Sequence, residues 1–161
     1  MGNTKSSEKG RGIVMIGFII TGHGAYAPGI HGAMEMITGK QEKVKVIPFL
    51  PEMTLEVFKN EIVASIDTLK KEVSEIIIFS DLLGGTPFKI AAEIVMNQGG
   101  IEIVSGTNLS MLVEGSILRL GMSSSQELVN QLLQTGKDGI SRLESISEYF
   151  KNDTEDFSDG I

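Results

Sequence analysis

The chain has 161 residues, enough for one domain with a substantial core but not for two. Hydrophobic residues make up 41% of it and charged residues 22%, which is typical of a globular protein. The formal net charge of −7 argues against nucleic acid or an anionic membrane surface as the main partner. Because the chain has no cysteine, disulfides, thiolate catalysis and cysteine metal sites are excluded.

No apolar run reaches membrane-spanning length, and the polar start of the chain lacks the apolar stretch of a secretory signal. We therefore expect a cytoplasmic protein. Residues 1–12 are small and polar, and they predict a disordered extension that need not be native. We expect residues 13–147 to form a single domain and the acidic residues 148–161 to form a flexible tail.

Short apolar runs and helical spacings predict strands that alternate with helices. The first and third strands are continuously apolar, as expected of strands buried on both faces, whereas alternation in the second suggests a sheet edge. In chain order, the predicted strands cover residues 14–20, 44–47, 76–80 and 101–105, and the predicted helices lie near 28–39, 54–69, 86–98, 107–118 and 124–136. This alternation favours an α/β protein with a mostly parallel sheet.

Several residues are predicted to mark the ends of these elements. Pro48 should close the second strand and Gly136 should end the last helix, because proline lacks a ladder donor and glycine favours helix ends. Residues 139–146 could be a last strand or a short helix. Polar side chains suited to capping a helix start are Thr54, Thr86, Asn108 and Ser124.

The candidate site lies where two buried strands end. His23 stands between Gly22 and Gly24 after the first strand, and Asp81 follows the third. If these strands are neighbours with crossovers on opposite faces, both side chains border one crevice. A neutral imidazole is nucleophilic near pH 7, and a carboxylate at its other nitrogen fixes the tautomer and stabilises the cation formed on attack. We therefore interpret His23 as a nucleophile and Asp81 as the residue that orients it.

A phosphoryl group on histidine would need donors for its oxygens, which backbone N–H groups at helix starts supply. Gly84, Gly85 and Thr86 open the third helix and resemble such a cradle, and Gly24 could supply another donor. Two histidines without cysteine are too few for a typical zinc site, so we expect neither a metal nor a cofactor.

Plainer interpretations stay open for these residues. His31 falls within a helix pattern and is interpreted as a solvent-facing or packing residue. Asp81 could simply cap the turn that follows it, and Thr86 could act only as a helix cap.

Four segments together resemble the mannose-family EIIA component of the bacterial phosphoenolpyruvate:sugar phosphotransferase system (PTS). The resemblance covers most of the chain, with the motifs in the family's order, and neither glycine motif alone would carry it. The segments are MIGFIITGHG (residues 15–24), SDLLGGTPF (80–88), VSGTNLSML (104–112) and TGKDGI (135–140).

The resemblance implies a doubly wound sheet of four parallel strands in the order 2-1-3-4. It also implies a homodimer that exchanges a fifth, antiparallel strand, which we place in residues 139–146. The phosphorylated histidine of the family falls on His23 and its orienting aspartate on Asp81. The expected contact with partner proteins is mainly apolar and could involve Tyr26, Pro28 and Leu83.

The same resemblance implies the partners. The phosphocarrier HPr would donate the phosphoryl group, and an EIIB component, expected here as a separate protein, would accept it. EIIB would then phosphorylate a sugar that enters through the membrane components EIIC and EIID, so the protein should associate peripherally with the transporter. The sequence does not identify the sugar.

Two other functions are compatible with the sequence. One is a regulatory phosphoryl-relay module of similar fold, such as a partner of dihydroxyacetone kinase, in which the chemistry at His23 would be the same and the acceptor different. The other is a dinucleotide-binding protein, because Gly22, Gly24 and Ala27 fit a G-x-G-x-x-[G/A] pattern after a strand. The acidic residue that this pattern requires is only approximated by Glu52.

Overall fold

The computed structural model describes residues 15–143 and residue 150. Its four strands form one all-parallel sheet in the order β2-β1-β3-β4, which confirms the predicted α/β class and strand order. The strands are β1 (Gly17–His23), β2 (Val44–Phe49), β3 (Ile76–Phe79) and β4 (Ile101–Val104).

Five helices cover the two faces of the sheet in the described part of the chain. They are α1 (Tyr26–Thr38), α2 (Leu55–Lys70), α3 (Thr86–Val95), α4 (Leu109–Leu118) and α5 (Ser125–Asp138). Alternate residues of β1 point to opposite faces, so Phe18 and Ile20 join a core with α1, α4 and α5, whereas Ile19 joins one with α2 and α3. All four residues of β3 are buried, as its unbroken apolar run predicts.

The first strand extends further than predicted, because β1 ends at His23 and not at Ile20. Its last three residues stay in the ladder because β2 continues beside them, and His23 pairs with Phe49. The Thr21 hydroxyl also donates to the carbonyl of Ile47 at 2.7 Å. His23 is therefore held by the sheet itself and does not sit in the following loop.

The prediction that β2 lies at a sheet edge is confirmed, but the prediction that Pro48 closes it is wrong. Pro48 is inside β2, opposite Gly22. The carbonyls of Lys43 and Phe49 accept hydrogen bonds from the β1 side, so by alternation Pro48 faces the free edge. A proline is tolerated there because no ladder hydrogen bond is lost.

Three of the predicted helix caps are confirmed by side chains that accept a backbone N–H: Thr54, Asn108 and Ser124. Thr86 is not a cap, because the extended Gly85 takes that position and Thr86 becomes the first helical residue. Gly136 does not end α5, which continues to Asp138. A Cβ at Gly136 would lie 2.7 Å from the Met111 side chain, so this glycine serves close packing of α4 and α5.

Arg119, at the end of α4, is the largest fully buried side chain described. Its guanidinium donates to the carbonyls of Ile16 and Glu42 and to the Gln41 side chain, and it lies 4.7 Å from the centroid of the Phe18 ring. Burial lowers the pKa of Arg119 to about 10, so the group stays charged at neutral pH. It joins the amino ends of β1 and β2, at the opposite end of the sheet from His23.

The predicted extension at residues 1–12 and nearly all of the acidic tail at 148–161 lie outside the described residues. Residues 144–146 of the predicted fifth strand also lie outside them, and its residues 139–143 carry no strand in the single chain. Within the described ranges, none of the helices is both long enough and apolar enough to cross a bilayer.

Candidate active site

The structure brings His23 and Asp81 into direct contact although 58 positions separate them in sequence. β1 and β3 are adjacent, and the chain leaves them toward opposite faces, through α1 on one side and α3 on the other. Nδ1 of His23 lies 2.8 Å from Oδ2 of Asp81, and the His23 backbone N–H donates to the same oxygen at 2.9 Å. The crevice expected at the switch point of the sheet is where both side chains meet.

Asp81 is surrounded by hydrogen-bond donors. Oδ1 accepts the Leu82 N–H at 2.7 Å, and the Ser80 hydroxyl lies 3.4 Å away. Burial acts to raise the pKa of the Asp81 carboxyl, but the bonds from the His23 backbone, the His23 ring and the Leu82 N–H outweigh it, so the pKa is lowered. The carboxylate is therefore ionised at neutral pH.

The charged carboxylate determines which nitrogen of His23 is reactive. Since Asp81 can only accept at neutral pH, Nδ1 carries the proton and Nε2 keeps a lone pair. Nε2 has no hydrogen-bond partner among the described residues, and the His23 side chain is 46% exposed. The rings of Phe49 and His23 are nearly perpendicular, with their centroids 6.1 Å apart. The arrangement thus presents one nucleophilic nitrogen to solvent.

Two glycines allow this close packing. A Cβ at Gly85 would lie 2.8 Å from Cε1 of His23, so only a glycine lets the start of α3 approach the ring. A Cβ at Gly22 would lie 2.5 Å from Cδ1 of Tyr26 and 3.0 Å from Cγ of Asp81. Gly22 and Gly85 are therefore parts of the site for steric reasons.

Some of the donors predicted for a phosphoryl group already donate hydrogen bonds within the chain, and others do not. The N–H of Gly24 donates to the Phe49 carbonyl at 2.8 Å, and that of Gly85 to the Leu82 carbonyl at 3.0 Å. The Thr86 side chain does not cap α3. The backbone N–H groups of Gly84 and Thr86 and the Thr86 hydroxyl have no acceptor within the described residues, so they are the unoccupied donors at the start of α3.

The residues predicted for partner docking differ in how exposed their side chains are. Leu83 is 71% exposed, its neighbour Leu82 is 61% exposed, and Pro28 is exposed on the first turn of α1. Tyr26 is partly buried, and its hydroxyl donates to the Thr107 carbonyl. His31 is not part of the His23–Asp81 pair, and its Nε2 lies 3.5 Å from Oε1 of Glu35, one helical turn along α1.

Sequence analysis missed the contributions of Phe49 and Thr107 to this site. Both are loop or strand-end residues that neighbour the site only through tertiary pairing, and 81 positions separate Thr107 from Tyr26. The only available signal was position, because each lies two residues past the end of a predicted strand of the same parallel sheet.

The fold and this pair define an open α/β domain that holds a histidine against a carboxylate at its switch point. A family model described as PTS system fructose IIA component matches residues 17–133. The chain therefore belongs to the EIIA-man family of phosphotransferase-system proteins.

Individual relatives agree. The mannose-specific EIIAB component of Escherichia coli (strain K12) is 34% identical over 134 residues, which cover 81% of this chain and 40% of that protein. The sorbose-specific EIIA component of Lacticaseibacillus casei is 34% identical over 116 residues, covering 72% and 82%. The crystal structure of EIIA from Streptococcus agalactiae matches with a TM-score of 0.70 at 32% identity, covering 80% and 97%. The chain thus spans about 40% of the length of the E. coli relative but most of the length of the other two.

Proposed function

We propose that His23 accepts a phosphoryl group from phospho-HPr and passes it to an EIIB component, as one step in sugar uptake through the membrane components EIIC and EIID. The relay would operate in the cytoplasm, beside the membrane transporter. The observation that carries this proposal is the 2.8 Å contact between Nδ1 of His23 and Oδ2 of Asp81, which leaves Nε2 as the nucleophile. Membership of the EIIA-man family supports it independently.

The transfer step follows from this geometry. The lone pair on Nε2 attacks phosphorus, the bond between the phosphoryl group and its donor breaks, and the donor keeps that electron pair. The proton stays on Nδ1, so the ring becomes cationic, and the Asp81 carboxylate beside Nδ1 stabilises that charge. The reverse sequence at EIIB returns His23 to its neutral form.

The phosphoryl oxygens would be held at the start of α3. The backbone N–H groups of Gly84 and Thr86 and the Thr86 hydroxyl are the donors that no other described group occupies, and the positive end of the helix dipole adds to them. Gly24 and Gly85 are not counted among these donors, because their own N–H groups already donate within the chain.

The docking surface for HPr and EIIB would be the apolar rim around His23. Leu82 and Leu83 stand exposed on one side, and Pro28 stands exposed on the other. A stretch of large exposed apolar side chains beside a reactive group is typical of a protein contact. Tyr26 would contribute only the exposed part of its ring.

We also propose that the protein is a homodimer in which residues 139–146 pair with β4 of a second copy. Within the described residues, the outer edge of β4 has no neighbouring strand. An open cleft of about 150 Å³ lies past the carboxyl end of β4, between the following loop and helices α4 and α5. Ile140 lines that cleft and is 76% exposed in the single chain. Sedimentation of the full chain tests this, because a monomer at micromolar concentration would refute the exchange.

The main test is intact-mass spectrometry after incubation with phosphoenolpyruvate, enzyme I and HPr. Wild type should gain one acid-labile phosphoryl group, and His23→Ala should gain none. His31→Ala is the matched control, because it removes the chain's other histidine and should be phosphorylated like wild type. Full-rate phosphorylation of His23→Ala, or none of wild type with active carriers, would refute the proposal.

A second measurement separates transport from regulation. Phosphorylated protein is mixed with a mannose-family EIIB, and the loss of its phosphoryl group is followed over time. Rapid transfer to EIIB supports the transport relay. A protein that accepts the group from HPr but passes none to EIIB would instead be a regulatory relay.

A further inference from the structure

We propose that Tyr26 is a positioning residue of this site, whose side chain fixes the Asp81 carboxylate against Nδ1 of His23. It would do so by tying the loop between β4 and α4 to the start of α1. This inference rests on the proposed phosphoryl transfer at His23, and it goes beyond the docking role that the sequence suggested for Tyr26.

The first support is a closed circuit of hydrogen bonds. The Tyr26 hydroxyl donates to the Thr107 carbonyl. The Thr107 N–H donates to the Ser80 carbonyl at 3.2 Å, and the Gly106 N–H to the Asp81 carbonyl at 2.9 Å. Asp81 in turn holds the backbone and ring of His23, three residues before Tyr26. The backbone of Asp81 is thus held by a loop whose own position depends on the tyrosine hydroxyl.

The second support is direct packing. A Cβ added at Gly22 would meet both Cδ1 of Tyr26 and the carboxylate of Asp81, at 2.5 and 3.0 Å. The tyrosine ring and the carboxylate therefore approach the same point beside the strand. The ring occupies space into which the carboxylate would otherwise move away from His23.

The protonation state of the Tyr26 hydroxyl fits its role as a hydrogen-bond donor. Burial raises the pKa of Tyr26 to about 12, and the charge of Asp81 adds to this. The hydroxyl is therefore protonated at any pH at which the relay works. It cannot take up the proton of His23, so its role is positional.

The test compares Tyr26→Phe with wild type in two measurements. The first is the long-range ¹H–¹⁵N spectrum of the His23 imidazole, which reports which nitrogen carries the proton and needs no phosphoryl donor. The second is the rate of phosphorylation by phospho-HPr, separated into the maximal rate and the half-saturating HPr concentration. We expect a smaller share of the Nδ1–H tautomer and a maximal rate lower by about tenfold, within the range that loss of an orienting partner of histidine costs, with half-saturation little changed.

Two further variants make the result decisive. Thr68→Val is the matched control, because it also removes a hydroxyl that donates to a backbone carbonyl, at 2.8 Å from Ala64 on α2. It should leave the His23 signals and the rate unchanged. Gly22→Ala pushes a methyl group between Tyr26 and Asp81, and it should disturb the same His23 signals from the other side.

Each outcome has a distinct meaning. If Tyr26→Phe lowers thermal stability but leaves the His23 tautomer and the maximal rate at wild-type values, the tyrosine is only structural and the inference is wrong. If half-saturation rises and the maximal rate does not fall, Tyr26 acts in docking instead. If wild type is not phosphorylated at all, the proposed function fails, while the spectra still decide whether Tyr26 orients the ring.

Discussion

A single oxygen of Asp81 accepts two hydrogen bonds from His23, one from the backbone N–H at 2.9 Å and one from Nδ1 at 2.8 Å. Both bonds end on Oδ2, and rotation of the imidazole ring about its side-chain bonds would break the bond from Nδ1. The other oxygen accepts the Leu82 N–H at 2.7 Å, so both oxygens have fixed donors. Orientation and charge at His23 therefore depend on the same carboxylate.

Asp81→Asn removes the charge and also disturbs the orientation of His23. Asparagine can offer only one acceptor oxygen, so its NH₂ group must face either Leu82 or His23, and the charge is lost. We expect phosphorylation to slow by about 10- to 100-fold and unfolding free energy to fall by about 1–3 kcal/mol. Quenched phosphotransfer time courses measure the rate, and urea unfolding measures the free energy of unfolding. An unchanged rate would show that the carboxylate does not act through His23.

The lowered pKa of Asp81 predicts a stability difference that depends on pH. Because the folded pKa lies below the unfolded value of about 3.9, the ionised carboxylate stabilises the fold fully above that value. This contribution is lost as the pH falls through the folded pKa. Urea unfolding of wild type and Asp81→Asn should therefore differ by a constant amount near neutral pH and converge in acid. A difference in unfolding free energy that grows as the pH falls would contradict a lowered pKa of Asp81 in the folded protein.

Gly85→Ala should impair the site with little effect on the fold. The backbone of Gly85 is extended, so alanine can adopt it, but the new methyl group would lie 2.8 Å from Cε1 of His23. Displacing the ring should slow phosphorylation by about 10- to 100-fold. Gly99→Ala is the control, because a Cβ there meets open space. Equal rates for the two variants would argue against tight packing at the ring.

Arg119→Met should destabilise the protein without affecting chemistry at His23. The substitution leaves the carbonyls of Ile16 and Glu42 without their donor in a buried place, at a cost of about 2–4 kcal/mol. For a chain of this size each kcal/mol lowers the Tm by about 2–4 °C. Circular dichroism melts check this, with Lys59→Met as an exposed control. A loss of phosphorylation below the Tm would show coupling between the two ends of the sheet.

Most of the fold was predictable because its signals are local. The continuous apolar run of β3 indicates a strand buried on both faces, and Thr54, Asn108 and Ser124 cap helices as their positions predict. The contact between His23 and Asp81 was foreseeable from the rule that places functional loops at a switch point. Their roles in phosphoryl transfer remain predictions.

What sequence analysis missed depends on tertiary partners. β1 reaches His23 only because β2 runs beside it, which no feature of residues 20–23 reveals. From sequence alone, Arg119 would be expected on the surface. Its burial depends on three hydrogen-bond acceptors that lie far away in sequence. The helix role of Gly136 likewise depends on Met111, which lies on another helix.

The proline in β2 also bears on how copies of this protein can associate. A further strand meeting β2 would find a missing donor at Pro48, whereas β4 offers four residues without proline. Pro48 therefore disfavours strand addition at the β2 edge of the described sheet. We expect Pro48→Val to increase edge-to-edge association of the folded protein, which sedimentation would measure.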